Sequence, residues 1–332
     1  MESTEKQERV REKLLRELGP NIREALADPR VIEVVLNPDG KLWVEKLGED
    51  MQVVGVMASS NAEALMATIA SSLSTTITRE RPVLEGELPT DGSRFEGMIP
   101  PVVVRPSFAI RKKASRVFPL AEYVRKGIMT EAQRLGVIEA VKSRRNILVV
   151  GGTGTGKTTL LNAIILVISE VSPEHRVVII EDTVELQCSS KNVVQLRTSD
   201  TVTMQGLLRV TMRLRPDRIL VGEVRGAEAL ALLKAWNTGH PGGLATVHAN
   251  DASSGLLRIK QLIEEGLQGG KADPEVIAEA VGLVVVIKKT SVAPGRRVSE
   301  MVRVEGHENG AYVLVDDFSE SLAPTPTKNE HQ

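Results

Sequence analysis

The sequence predicts an α/β protein in which a smaller α+β domain precedes a larger domain built on a parallel sheet. In the last two thirds of the chain, short apolar runs alternate with segments of helical periodicity. This alternation is typical of a parallel sheet that is covered by helices on both faces. In the first third, short β-branched runs are separated by turn signals, which is typical of an antiparallel or mixed arrangement.

The 332 residues suit about two domains. We predict an α+β N-terminal domain over residues 1–115, a linker over 116–130 and the larger domain over 131–318. Residues 319–332 are polar and contain prolines, so we predict a disordered tail there.

In the N-terminal domain, an apolar stripe predicts one or two helices over residues 4–27, interrupted at Gly19-Pro20, with Asn21 as a candidate cap. A second helix is predicted over residues 60–74. The strands are predicted at Val31–Leu36, Lys41–Lys46, Gln52–Met57, Val83–Leu88, Arg94–Ile99 and Ser107–Lys112.

The larger domain is predicted to alternate strands and helices almost throughout. The strands are predicted at residues 146–150, 177–180, 219–221, 244–247 and 282–288, followed by a hairpin with arms at 297–305 and 311–316. The helices are predicted at residues 130–143, 158–169, 203–214, 227–238, 253–265 and 274–280.

The amino-acid composition of the chain argues against several classes of function. The net charge of −1 does not indicate a nucleic-acid surface over the whole chain, and the 2% of aromatic residues argues against a single-strand channel based on base stacking. Cys188 is the single cysteine, so no intrachain disulfide forms and a reducing compartment fits. No apolar run approaches the roughly 18 residues of a spanning helix, so we expect a soluble protein with at most peripheral membrane contact.

A glycine-rich stretch lies between the strand at 146–150 and the helix that follows it. It fits the pattern G-x-x-x-x-G-K-[ST], which is informative because a strand precedes it and a helix follows it. Backbone N–H groups of such a loop surround phosphate oxygens, and the helix N-terminus adds partial positive charge. We therefore predict that Lys157 reaches the β- and γ-phosphates of a nucleotide and that the Thr158 hydroxyl binds Mg²⁺. The predicted loop residues are Gly151, Gly152, Thr153, Gly154, Thr155, Gly156, Lys157, Thr158 and Thr159.

Acidic residues follow two of the predicted strands. Glu181 and Glu185 belong to the stretch IIEDTVE, and Glu223 ends the stretch ILVGE. A magnesium–nucleotide site needs a carboxylate near Mg²⁺ and a group that positions the attacking water. Gly222 occupies the place where many phosphate-loop ATPases carry an aspartate. Glu223 is therefore expected to act alone or together with the Glu181–Glu185 stretch.

Two histidines flank the predicted strand 244–247 in the segment TGHPGGLATVHAN. His248 follows the strand and is predicted to point toward the nucleotide. The pair, His240 and His248, favours a phosphate sensor over a metal site, since no ligating Cys or carboxylate spacing accompanies it.

The phosphate loop and the segments EDTVEL, RPDRILVGEVRG and TGHPGGLATVHAN resemble those of the secretion traffic ATPase superfamily. The segments VIEVVLNPDGKLWVEK and DGSRFEGMIPPVVVRPSFAIRKKAS are most similar to the conjugal-transfer branch of TrbB-like ATPases. The resemblance extends over roughly residues 20–300. It implies a RecA-like P-loop NTPase domain at the C-terminal end, a smaller α+β N-terminal domain, and a hexameric ring that binds ATP between the two domains.

The same resemblance implies individual roles. It makes Glu185 the general base, Glu223 the Walker B acid and a magnesium ligand with Thr158, and His248 a group near the γ-phosphate. Arg94 and Arg111 match the N-terminal-domain arginines that contact phosphate. The resemblance leaves open whether Arg213 or Arg215 also enters the site. A four-cysteine metal module found in some type II members is absent, which argues against that branch.

We therefore expect a Mg²⁺-dependent ATPase that powers conjugative transfer or type IV secretion as a homo-hexamer. The resemblance places it on the cytoplasmic face of the inner membrane, where it contacts inner-membrane components, without sequence-specific binding of nucleic acid. One alternative is a motor for pilus extension or retraction, and an alternative of another class is a DNA-translocating ATPase.

Overall fold

A computed structural model describes residues 2–46, 49–113, 116–199 and 201–318. The chain divides into two compact units, Met1–Ser115 and Arg116–Gln332. The predicted linker belongs to the second unit and includes a helix, Leu120–Arg125. The predicted tail, residues 319–332, lies outside the described residues.

The first unit combines two helices with an antiparallel sheet. The elements are α1 (Glu2–Ala27), β1 (Val31–Leu36), β2 (Lys41–Lys46), β3 (Gln52–Val56), α2 (Ser59–Ser72), β4 (Val83–Glu87), β5 (Arg94–Met98) and β6 (Ser107–Arg111). The strands lie in the order β3-β2-β1-β6-β5-β4, and each neighbouring pair is antiparallel. Apolar side chains from both helices are buried together with alternate residues of the strands, as expected for a sheet that is covered on one face.

Helix α1 is kinked at the predicted interruption. Gly19 has φ 68° and ψ 175°, which is outside the helical region, and Pro20 follows it. The prediction that Asn21 caps a second helix is wrong, because Gly19 is the non-helical residue. The Asn21 side chain instead lies against Gly55, where a β-carbon would come within 2.1 Å of its Nδ2.

The second unit contains the phosphate loop and a larger sheet. Its first elements are α3 (Leu120–Arg125), α4 (Glu131–Lys142), β7 (Ile147–Val150), α5 (Lys157–Val171), β8 (Val177–Glu181), β9 (Val193–Arg197), α6 (Met204–Thr211) and β10 (Arg218–Val221). The remaining elements are α7 (Glu228–Asn237), β11 (Leu244–Val247), α8 (Ala252–Gly266), α9 (Pro274–Ala280), β12 (Leu283–Lys289), β13 (Arg296–Glu308) and β14 (Ala311–Val315).

This sheet is mixed, with the order β14-β13-β12-β7-β11-β10-β8-β9. Neighbours from β12 to β9 are parallel, whereas β13 and β14 extend the sheet in antiparallel fashion. The parallel core was predicted. The edge strand β9 was not, because its half-buried sequence VVQLR carries little periodicity. The predicted C-terminal hairpin is present, and it joins the sheet through pairing of β13 with β12, a contact that no local pattern indicates.

Alternate residues of the central strands enter two separate cores. In β7, Ile147 and Val149 pack on the face covered by α4 and α5, while Leu148 and Val150 pack on the face covered by α7 and α8. All four side chains are essentially inaccessible to solvent, and each such burial stabilises the fold by about 1.5–3 kcal/mol. The sheet is thus covered on both faces, as predicted, and its strand ends are held in fixed positions.

The carboxyl ends of β7, β8, β10 and β11 lie at one edge of the sheet, because these strands are parallel. The loops that leave this edge carry the predicted site residues of the larger domain. Among the described residues, no helix has both the length and the apolar character needed to cross a bilayer.

Candidate nucleotide site at the carboxyl edge of the sheet

The loop between β7 and α5 has the backbone shape of a phosphate cradle. Gly154 and Gly156 have φ angles of 68° and 99°, a region that side chains other than glycine rarely adopt. Gly156 is also the N-cap residue of α5. A β-carbon on Gly151 would lie 2.5 Å from the Ile287 carbonyl oxygen, so only glycine fits there as well. The loop therefore turns tightly and presents backbone N–H groups at a helix N-terminus, which suits an anion.

Lys157 begins α5 and its ammonium group lies over the loop. The side chain is 8% exposed, and its Nζ donates to the carbonyl oxygens of Gly151 at 2.9 Å and Gly152 at 3.0 Å. Thr158, in the first turn of α5, is half-buried. The cation and the hydroxyl thus lie beside the cradle that the sequence predicted for phosphate.

His248 connects this loop to the acid that follows β10. Lys157 Nζ is 3.3 Å from His248 Nδ1 and 3.2 Å from Nε2. His248 Nε2 is in turn 2.8 Å from Glu223 Oε1. The structure therefore brings together three predicted site residues from three different loops. His240, by contrast, precedes β11 at the opposite edge of the sheet, where its Nδ1 contacts the Pro216 carbonyl oxygen at 2.8 Å, so the idea of a paired histidine sensor is wrong.

Arg225 is a site residue that the sequence analysis missed. Its Nη2 donates to Glu223 Oε2 at 2.6 Å, and its Nη1 lies 4.0 Å from Asp182. The hydrogen bond to Glu223 raises the pKa of Arg225 above its usual value, and the negative charges of Asp182 and Glu185 add to this effect. Its place two residues after Glu223, within a segment already singled out, was the available signal.

The residues present fit a hydrated magnesium ion. Glu223 Oε1 is buried and accepts no hydrogen bond in the described part of the chain, although His248 Nε2 lies 2.8 Å away. No group of three or more His, Cys, Asp or Glu side chains within the described residues could enclose a metal. Mg²⁺ usually keeps several waters and binds to one or two protein groups and substrate phosphates. Glu223 and Thr158 are suited to such a site.

The acidic stretch that starts at the last residue of β8 contains a structural glutamate and a glutamate that is available for chemistry. Glu181 is 3% exposed, and its Oε1 accepts hydrogen bonds from the N–H groups of Glu185 and Leu186, both at 2.9 Å. Glu185 itself is half-buried. Glu181 therefore shapes the loop, and Glu185 remains the residue whose carboxylate is available for chemistry.

Asn162 of α5 fixes the same loop from the other side. Its Nδ2 donates to the Glu185 carbonyl oxygen at 3.2 Å, and its Oδ1 accepts from the Gln187 N–H at 2.8 Å. Asn162 is 1% exposed. No sequence signal predicts this role, because the partner of a polar residue in an apolar helix cannot be identified from local sequence.

Glu181 also explains the glycine that replaces the expected aspartate. A β-carbon on Gly222 would lie 3.1 Å from Glu181 Cγ and 3.5 Å from its Oε1. An aspartate there would put a second carboxylate against a buried one, and two such charges so close cannot both be ionised without cost.

The family model for "Type II/IV secretion system protein" matches residues 17–300. The chain belongs to this family. Among curated proteins, it is 51% identical to a probable conjugal transfer protein TrbB of Sinorhizobium fredii, with 96% of both chains covered. It is 50% identical to the conjugal transfer protein TrbB of Rhizobium radiobacter, with 92% of this chain and 93% of that protein covered.

Two solved structures share the fold of this chain. The Legionella pneumophila ATPase DotB is 19% identical with a TM-score of 0.59, over 89% of this chain and 80% of that one. The pilus retraction motor PilT with bound ADP is 21% identical with a TM-score of 0.58, over 88% of this chain and 80% of that one. At these identities the likeness concerns the fold alone.

Arg94 and Arg111 lie in the first unit. They are the two arginines that the family resemblance implies as phosphate contacts. Arg94 begins β5 and Arg111 ends β6, and the two are directly opposite each other in the strand register. Glu33 is the partner of Arg111 on its other side. The structure thus brings the two arginines together, and their role toward a nucleotide stays a prediction.

Arg213 and Arg215, which were left open, are both exposed in the turn before β10. This turn is at the amino edge of the sheet, since Asp217 N–H donates to the Arg176 carbonyl oxygen just before β8. Glu223 and His248 follow the strands at the carboxyl edge, so neither arginine joins them in the same subunit.

Proposed function

We propose that the chain is a Mg²⁺-dependent ATPase that powers conjugative transfer or a related type IV secretion process. In this proposal the second unit is a RecA-like P-loop domain, and the chain works as a homo-hexamer on the cytoplasmic face of the inner membrane. The contact that runs from Lys157 through His248 to Glu223 carries the proposal. It unites the phosphate loop with an acid and a polar sensor at one strand edge, where α/β sheets bind ligands.

Binding of the nucleotide falls to the phosphate loop and Lys157. The loop N–H groups and the N-terminus of α5 offer positive potential, and the Lys157 ammonium adds a full charge 2.9 Å from the loop carbonyl of Gly151. Thr158 and Glu223 would hold the magnesium ion. When bound, this ion neutralises phosphate charge as it develops.

Glu185 is proposed as the general base. In the described residues its carboxylate forms no hydrogen bond or ion pair, while its backbone is held by Glu181 and Asn162. A carboxylate on a fixed loop can orient a water and accept its proton. His248 lies between Lys157 and Glu223 and can donate to a phosphate oxygen, so it reports whether the terminal phosphate is present.

The conjugal role follows from the relatives. Both TrbB proteins match over nearly the whole chain at about half identity, whereas the pilus motor shares only the fold. A plasmid-transfer assay tests this role: a donor that lacks the gene should regain transfer with the wild-type chain and not with Lys157→Ala. Normal transfer by the deletion donor would contradict the conjugal role.

The catalytic role is tested with purified protein. Lys157→Ala should lose about 100-fold or more of ATP hydrolysis, because it removes a cation from the developing phosphate charge. Lys142→Ala, an exposed lysine at the end of α4, is the matched control and should retain full activity. Chelation of Mg²⁺ should abolish hydrolysis, and addition of DNA should not stimulate it. A DNA-dependent rate would favour the translocase alternative, and an active Lys157→Ala would refute the site.

A further inference from the structure

Four cations lie at the turn end of the hairpin formed by β12 and β13. They form two cross-strand pairs, Lys288 with Arg297 and Lys289 with Arg296. Side chains of directly opposed residues share a face of a sheet, and adjacent residues alternate between faces. Lys289 and Arg296 therefore lie on one face, and Lys288 and Arg297 on the other.

The pair Lys289 and Arg296 lies against the phosphate loop. A β-carbon on Gly154 would be 3.0 Å from Lys289 Nζ, and one on Gly156 would be 2.7 Å from Arg296 Nη1. Both cationic groups thus touch the loop at its two left-handed glycines. The other pair faces elsewhere, since Lys288 lies close enough to Asp251, at the start of α8, to help lower the pKa of that carboxyl group.

In the described part of the chain, neither cation of the pair has an acidic partner. The side chains of Lys289 and Arg296 form no ion pair or hydrogen bond there, and Lys289 is exposed while Arg296 is half-buried. They lie beside each other and beside a loop that already carries Lys157 and a helix N-terminus. Like charges that lie side by side repel each other, and an anion bound there would relieve this repulsion.

We infer that Lys289 and Arg296 bind the phosphates of the nucleotide from the hairpin side and complete the cradle formed by residues 151–158. This inference rests on the proposed function. It assigns a ligand-binding role to the turn end of the hairpin formed by β12 and β13. A guanidinium offers planar paired donors to phosphate oxygens, and an ammonium offers a point charge, so the two cations are complementary.

Charged hydrogen bonds of this kind are worth roughly 1.5–3 kcal/mol. We therefore expect Lys289→Ala and Arg296→Ala each to weaken binding of an ADP analogue by about tenfold to a hundredfold. Lys289→Arg should bind more tightly than Lys289→Ala, because the charge is retained. The salt dependence of binding should become shallower in the alanine variants, because fewer cations face the phosphates.

The experiment is an equilibrium titration of fluorescent mant-ADP into the full chain, with Lys288→Ala and Arg297→Ala as matched controls from the other face of the same hairpin. Thermal melting shows that each variant is folded, and Lys289→Gln and Arg296→Gln replace any alanine variant that is not. If only the Lys289 and Arg296 variants bind mant-ADP more weakly than the wild type, the inference is supported. If the variants of both pairs bind mant-ADP with equal affinity, whether weaker than the wild type or unchanged, the inference is overturned. A wild-type chain that does not bind mant-ADP would instead refute the proposed function itself.

Discussion

At the residue scale, three glutamates near the phosphate loop have different surroundings and hence different uses. Glu181 is buried and accepts two backbone N–H groups. Glu223 contacts His248 and Arg225. Glu185 has a fixed backbone and a carboxylate without a hydrogen bond among the described residues. A carboxylate that is already engaged is a poor proton acceptor, so these contacts favour Glu185 as the base.

Glu185→Gln should bind Mg-ATP with nearly normal affinity and hydrolyse it about 100-fold to 10,000-fold more slowly. The amide keeps the shape of the side chain but cannot accept the proton of water. Binding and single-turnover rates are measured on the same preparation. If Glu223→Gln is instead the variant that binds normally and does not turn over, the two roles are reversed.

At the element scale, α5 does more than cover the sheet. Its first turn carries Lys157 and Thr158, and one turn later Asn162 bonds the loop that holds Glu185. A single rigid helix therefore sets the distance between the phosphate loop and the proposed base.

Asn162→Ala should lower kcat by about tenfold or more with little change in KM, because two partly buried backbone groups of the Glu185 loop lose their partners. Ser169→Ala is the matched control. Ser169 lies further along the same helix and contacts Ser190 at 3.0 Å, beyond the Glu185 turn. Steady-state kinetics distinguish the two, and an equal loss of kcat in both variants would show a general effect of helix stability.

The amino edge of the sheet carries a buried arginine with a structural role. Arg218 is 1% exposed and donates to the carbonyl oxygens of Val141 and Gly242, both at 2.9 Å. Its Nε donates to His175 Nδ1 at 3.0 Å, so His175 must be neutral. Burial, followed by the positive charge of Arg218, lowers the pKa of His175.

This contact predicts a pH-dependent stability. Because the folded pKa of His175 is below its unfolded value of about 6.5, the unfolded state binds a proton that the folded state excludes. The free energy of unfolding should therefore fall as pH decreases through about 6.5. Arg144 and Arg218 face the ring and strengthen the effect, while Glu174 and Asp217 weaken it. Thermal melting from pH 8 to pH 5.5 measures this dependence of stability on pH. The stability of His175→Gln, which keeps a hydrogen-bond acceptor, should change less with pH.

At the scale of the whole molecule, the near-zero net charge of −1 means that assembly must rest on local complementarity. Arg94 and Arg111 are opposite each other in the first unit. Their partners on the neighbouring strands β4 and β1 are Glu87 and Glu33. Following the resemblance, we propose that the two arginines act on the terminal phosphate of ATP.

The double variant Arg94→Ala with Arg111→Ala should cut turnover by about tenfold to a thousandfold and change ADP affinity far less, because ADP lacks the γ-phosphate. Arg79→Ala with Arg105→Ala, two exposed arginines of the same unit, is the control and should be neutral. Activity per subunit should rise with protein concentration as hexamers form. Activity that is independent of concentration would contradict a hexameric enzyme.

The sequence by itself determined the phosphate loop, the order of the strands and helices along the chain, and the acidic residues that follow the strands. These features are local. A glycine pattern, an apolar run or a cap residue, such as Thr130 at the start of α4, indicates the conformation of the segment that contains it. Alternation along the chain then predicted the parallel core and placed Glu223 and His248 at one edge.

Only the tertiary structure decided which side chains meet. Strand order brought His248 to Lys157, 91 residues apart in sequence, and hairpin register turned Lys289 and Arg296 toward the loop while Lys288 and Arg297 face away. It also separated His240 from His248 and gave Glu181 and Asn162 their structural roles. Such contacts depend on register, packing distance and competition among buried polar groups for partners. These quantities arise when distant segments pack together, and no window of sequence contains them.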